Sequence, residues 1–258
     1  MISEIPILTP TTRFSNRAEN YVKYRPAYPS STILFLEKNF NLQIDSQIAD
    51  IGSGTGLFAE LLLKKGYDVF CIEPNEEMRK AGMFRLGHYR NFTSCPSRAE
   101  ATGLSNQSMD LITVAQAFHW LNPVAARREF CRILKPGGQV LLAWNIHKTS
   151  TPFLQAYADI RERFSIENRD AHKIGCNGVA DFFAPHKFQK QVLPNQQLLN
   201  FDALKGQLLS VSSMPLPGHP SYETMISSLV QLFVLYNENG FVRMEFETIF
   251  YWGAIDSA

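Results

Sequence analysis

Residues 49–58 read ADIGSGTGLF, which places Gly52, Gly54 and Gly56 within five positions, directly after a short apolar run ending in Asp50. Glycines so spaced let backbone approach a ligand with no Cβ in the way. A nucleoside triphosphate loop would end in Gly-Lys-Ser/Thr, whereas this turn continues into Leu57 and Phe58. A dinucleotide loop spaces its glycines G-x-G-x-x-G, and here the third, Gly56, arrives one position early. Asp50 adds a carboxylate that would repel a pyrophosphate and suit an ammonium group. A second acid, Glu73, closes the stretch CIEPN and is placed to accept both hydroxyls of a ribose lying across the strand ends. An NAD enzyme would use such an acid identically, and an acid near a helix start also has purely structural uses. The third candidate group is AFHWL, in which His119 and Trp120 follow an apolar run. An imidazole titrating near ~6.5 can orient an acceptor or remove its proton at neutral pH, and it can equally pack in the turn before Asn122.

These groups need elements that deliver them to one place. Short apolar runs alternate with segments of helical period, the pattern of a parallel sheet covered by helices. QIADIG reads as the first strand. Phe58, Leu61 and Leu62 then share a helix face that Gly66 ends, and YDVFCIE follows as a second buried strand. A helix through NEEMRKAGMFRLG, strands at NFTSC and MDLITVAQA, a helix capped by Asn122 with Pro123 at its first position, and a strand QVLLAWN continue the alternation. Lys135-Pro136-Gly137-Gly138 separates that last helix from that last strand. The glycine turn and Glu73 therefore fall after consecutive strands, and AFHWL follows the fourth, at the carboxyl-end crevice where such sheets bind ligands.

The pattern changes after residue 147. TPFLQAYADIRERF and SYETMISSLVQLFVLYNENG read as helices, separated by a polar stretch over 168–178. In FVRMEFETIFYW, Val242, Met244 and Phe246 alternate with Arg243, Glu245 and Glu247, as in a strand with one buried face. KFQKQVLPNQQLLN is the candidate partner for a late antiparallel pair at one sheet edge. The expected fold is an α/β, doubly wound, Rossmann-like sheet, mostly parallel with that late antiparallel pair and a helical cap insertion. The divisions are a cofactor-covering segment over 1–30, a core over 31–146, and a cap with final strands over 147–258.

Composition bounds the function. The 258 residues are 45% hydrophobic and 19% charged, enough for a sizeable core, and 25 basic against 24 acidic residues give a net charge of +1. No overall basic field is present to hold a phosphate backbone, so nucleic acid is not an expected partner. No apolar run is long enough to cross a membrane, and MISEIPILTP lacks the basic start and apolar core of a secretion signal. Cys71, Cys95, Cys131 and Cys176 include no C-x-x-C pair, and none of the six histidines has ligand spacing with a second donor. No metal is expected, and a reducing cytoplasm is the expected location.

The segment from Phe14 to Trp144, about half the chain, resembles class I S-adenosylmethionine-dependent methyltransferases, of the small-molecule group that includes the trans-aconitate methyltransferases. DIGSGTG, IEPNEEM, PSRAEATGL, AQAFHW and LKPGG carry the resemblance, in that order. It implies S-adenosyl-L-methionine as cofactor, with Asp50, Gly52, Ser53, Gly54, Thr55 and Gly56 forming its loop and Asp50, Gly52 and Gly54 facing the methionine end. Glu73 would take the ribose, Pro74 and Met78 the adenine surroundings and Ala99 a backbone contact to adenine, and Arg98, where many relatives carry an acid or small polar residue, and Gln116 are further cofactor-binding candidates. FSNRAENYVKYRPAYP resembles the lead-in that folds over the cofactor in this group. There Arg25 would pair with the cofactor's carboxylate and Tyr21 would close the site against water. The expected function is methyl transfer to a small organic acceptor, with carboxylic acids among the candidates, His119 and Trp120 facing the acceptor, and residues 146–240 forming much of its cap. A nicotinamide-dependent oxidoreductase and a cofactor-binding protein without turnover are the alternatives.

Overall fold

The computed structural model describes residues 22–166 and 176–256. In chain order the elements are α1 (Ser31–Asn39), β1 (Gln47–Ile51), α2 (Ala59–Lys64), β2 (Asp68–Ile72), α3 (Glu76–Leu86), β3 (Phe92–Cys95), β4 (Met109–Ala115) and α4 (Pro123–Ile133). After them come β5 (Leu134–His147), α5 (Pro152–Arg163), α6 (Cys176–Phe183), β6 (Gln189–Leu199), α7 (Phe201–Leu209), α8 (Tyr222–Tyr236) and β7 (Val242–Gly253). The strands form one sheet in the order β3-β2-β1-β4-β5-β7-β6. The first five are parallel, and β7 runs antiparallel to both β5 and β6.

The expected doubly wound sheet with a late antiparallel pair is present. β1 sits mid-sheet between β2 and β4, so Ile48, Ala49 and Ile51 are fully buried, as a strand covered on both faces requires. The apolar face of α2 is Phe58, Leu62 and Leu63, with Leu61 only half-buried, and Gly66 ends the turn at φ +93°. Asn122 caps α4 by accepting from the Ala125 amide at 3.1 Å, with Pro123 in the first turn. β5 begins earlier than QVLLAWN. Leu134 already pairs with Met109, the next matched pair is Gln139 with Leu111, and residues 135–138 form an irregularity between them. Val242, Met244 and Phe246 are buried, as their alternation predicts.

Helices α6 and α7 are additions to the sequence-based picture. α6 drives Val179, Phe182 and Phe183 into the core on one sheet face. α7 starts where Asn200 accepts from the Ala203 amide at 2.9 Å, and Leu204 and Leu208 on its buried face recur four residues apart. With α5 and α8 it packs on the outer reach of the antiparallel strands, in a cluster that includes Tyr157, Leu229, Met244 and Phe246 and is distinct from the clusters against the sheet. This cap stands over the carboxyl ends of the parallel strands. No helix among the described residues is long and apolar enough to cross a membrane.

Asn122→Ala removes the α4 cap and is expected to lower stability by about 1 kcal/mol, read as a lower urea midpoint with an unchanged slope.

Candidate functional site

The glycine turn is shaped by what it packs against. Gly52 lies at φ +64°, and a Cβ there would come within 2.5 Å of the Ala117 Cβ. A Cβ on Gly56 would run into the Leu86 side chain of α3. Both positions therefore exclude a side chain for reasons internal to the fold, and the turn is pressed between α3 and the loop after β4. Glu73 braces it: its two carboxylate oxygens accept from the Gly54 amide at 2.9 Å and the Asn75 amide at 2.8 Å. Burial pushes the Glu73 carboxyl up, and these two hydrogen bonds oppose the shift. Each oxygen retains a further lone pair for a hydroxyl.

A cavity of about 460 Å³ opens where β1, β4 and β5 end. Of the sequence candidates, Arg25, Asp50, Gly52, Ser53, Thr55 and Gln116 line it, and Tyr28, Phe58, Asn145, His147, Thr149 and Arg161 are among the other lining residues. Gln116 holds φ +58°, a left-handed conformation that glycine favours, with its amide on Ala143 O at 2.8 Å and its Nε2 donating to Asn145 O at 3.1 Å. Strain of this kind in a non-glycine residue is concentrated at functional sites.

Asp50 is 1% exposed. Its Oδ1 accepts from the Thr113 hydroxyl at 2.7 Å, while its Oδ2 finds no partner among the described residues. Desolvation pushes its pKa up to about 7, against the Thr113 hydrogen bond and with a smaller contribution from Glu73. The Thr55 hydroxyl in the same wall is likewise buried without a partner among the described residues. A buried acid and a buried hydroxyl left in this state fit a ligand that brings an ammonium group into the cavity. Opposite in charge, Arg25 and Arg161 both act on the Tyr157 hydroxyl. Burial raises that phenol to about 12 while the two guanidinium groups pull it down.

The remaining sequence candidates lie outside the cavity lining. Gly54 faces Met78, whose methyl would be 3.3 Å from a Cβ there. Met78 and Ala99 are buried, Pro74 is half-buried and Arg98 is exposed. The Ala99 loop is held by Glu129, which accepts from the Thr102 amide at 2.8 Å and its hydroxyl at 2.6 Å. His119 and Trp120 sit half-buried on a short 3₁₀ turn with their rings 4.7 Å apart, anchored by Phe118 in the core. Tyr21 lies outside the described residues. His147 was missed although it ends a strand neighbouring β4, the rule that singled out AFHWL. Arg161, on an amphipathic helix, left no signal.

Residues 49–142, from the glycine strand through β5, match a family model described as a methyltransferase domain. An uncharacterized methyltransferase of Mycobacterium tuberculosis is 30% identical over 157 residues, which cover 61% of this chain and 62% of that protein. A methyltransferase-like protein of Schizosaccharomyces pombe is 27% identical over 69% of this chain and 67% of its own length. The chain thus spans about three fifths of the mycobacterial relative. Among solved structures, one from Anaeromyxobacter dehalogenans described as a type II methyltransferase superposes with a TM-score of 0.69 at 19% identity, covering 91% of this chain and 100% of that one. The Haemonchus contortus phosphoethanolamine N-methyltransferase 2 bound to phosphomonomethylethanolamine and S-adenosylhomocysteine gives 0.56 at 13% identity, covering 97% and 61%. The fold is that of the Rossmann-like methyltransferases, and the glycine turn lies within the matched methyltransferase segment.

Folding raises the Asp50 pKa from 3.8 to about 7. Between those values the folded chain keeps a proton that the unfolded chain has released, so the ligand-free protein loses stability as pH rises through that window and levels off above it. Asp50→Asn is expected to abolish this Asp50-dependent loss in pH-dependent urea melts, while weakening S-adenosylhomocysteine binding at pH 8 by about tenfold or more in calorimetry.

Proposed function

We propose that the protein is an S-adenosylmethionine-dependent methyltransferase whose acceptor is a small organic molecule carrying a carboxylate. The observation that supports this most is one cavity lined by both a buried acid, Asp50 beside the glycine turn, and two guanidinium groups, Arg25 and Arg161, with His147 in the same wall. The match to a methyltransferase model and the shared fold support the cofactor class. A structure of this fold that holds a small phosphorylated amine beside the demethylated cofactor supports the size of acceptor.

When bound, the cofactor would supply an electrophilic methyl group on a sulfonium, with the sulfur as leaving group. Asp50 stabilises the cationic amino-acid end, and Arg25 pairs with its carboxylate. Glu73 would offer its remaining lone pairs to the ribose, Pro74 and Met78 would flank the adenine, and Ala99 would give it a backbone contact. Arg161 in the cavity wall receives the acceptor's anionic group, and His147, at the end of β5, lines the same cavity. Tyr28 and Phe58 give the wall apolar surface that excludes water. A carboxylate attacks without a base, so orientation is the protein's main contribution. His119 and Trp120 keep an orienting role at the crevice after β4. The described residues within 146–240 form much of the acceptor cap.

The test is a screen of small carboxylic acids, phenols and amines, run beside transfer RNA and peptide pools. Arg161→Ala is expected to raise the acceptor KM about tenfold or more while S-adenosylhomocysteine affinity stays within about twofold. His119→Ala is expected to retain cofactor affinity and lose much of the transfer rate. Methylation of RNA or peptide with none of any small molecule would refute the acceptor class.

A further inference from the structure

Gly206 stands in the middle of α7, buried, and nothing in helix geometry calls for it. Glycine is among the poorest helix formers, so a buried mid-helix glycine marks a close approach. The approaching group is Tyr24: a Cβ built on Gly206 would fall inside its ring. The contact is one of several that clasp the lead-in. Gln207 Nε2 donates to Tyr24 O at 3.3 Å and to Gln197 Oε1 at 2.8 Å, and the Arg25 guanidinium donates to Ser210 O at 3.1 Å. On the sheet side, Asn145 Nδ2 donates to Pro26 O at 3.3 Å and Asn195 Nδ2 to Ala27 O at 2.8 Å. The next residue after Tyr24 is Arg25, in the cavity wall.

We infer that Gly206 is a positioning residue: its missing side chain forms the socket that seats Tyr24 and so sets the Arg25 guanidinium over the methionine end of the cofactor site. The cap thereby contributes to cofactor recognition without touching the cofactor. This rests on the proposed pairing of Arg25 with the cofactor's carboxylate. An alanine at 206 would favour the helix and unseat the ring.

The experiment compares two ligands by calorimetry: S-adenosylhomocysteine, which has the carboxylate, and 5′-methylthioadenosine, which lacks the amino-acid end. Gly206→Ala is expected to weaken the first about ten- to a hundredfold, the range for losing a charge-assisted hydrogen bond, and to leave the second within about threefold. Tyr24→Ala is expected to show the same selective loss and to absorb the effect of Gly206→Ala in the double variant. Arg25→Ala, measured alongside, should reproduce it. Wild-type binding of both ligands by Gly206→Ala, or equal loss of both, would overturn the inference while leaving Arg25 its role. Wild-type binding by Arg25→Ala would remove the pairing on which the inference stands.

Discussion

An ionisable carboxyl held almost dry at the end of the central strand is the constraint around which the site is arranged. Asp50 is fixed there because β1 is covered on both faces and flanked by β2 and β4. One hydroxyl, from Thr113 on β4, supports it, and that is too little to keep the charge comfortable at neutral pH. The chain immediately turns through three glycines, Glu73 just past the end of β2 ties that turn down, and α3 closes over it. The surroundings leave an acid in want of a cation, and a cavity in which one can be placed.

The second half of the molecule supplies the walls that a bare α/β sheet lacks. β7 extends antiparallel alongside β5, β6 extends it further, and three cap helices bury a separate apolar cluster on that extension. α5 then carries Arg161 over the strand ends, and α7 receives Tyr24 of the lead-in. The Asn145 side chain joins these parts: it accepts from the Thr248 hydroxyl on β7 at 2.5 Å and from Asn195 on β6 at 3.3 Å, and donates to the lead-in backbone. The sheet edge and the lead-in therefore form one polar junction in the cavity wall.

The parallel strands and the cofactor side were legible because their signals are local. A buried strand shows as a continuous apolar run, and the glycines, Asp50 and Glu73 sit within one βαβ unit. The terminal strand was legible from its two-residue alternation. α7 was not, because FDALKGQLL is short and interrupted by a glycine whose reason is a distant tyrosine ring. The rest of the cavity wall was equally hidden. His147 ends β5 and Arg161 lies on α5, and only the fold brings both into one wall, which no spacing in the chain records. His119 and Trp120 were conspicuous as chemistry, yet the cavity wall is built from the neighbouring Gln116 and the end of β5.

The central claim is that this cavity accepts the amino-acid end of a sulfur nucleoside. Thermal unfolding at pH 8 with S-adenosylmethionine, S-adenosylhomocysteine or NADH tests it directly, since a ligand selective for the folded state stabilises it by about 2.7 kcal/mol at a hundredfold excess over Kd. Both sulfur nucleosides are predicted to raise the midpoint in a concentration-dependent way and NADH to leave it unchanged. A rise with NADH and none with either sulfur nucleoside would contradict the assignment of the glycine turn, Asp50 and Arg25 together.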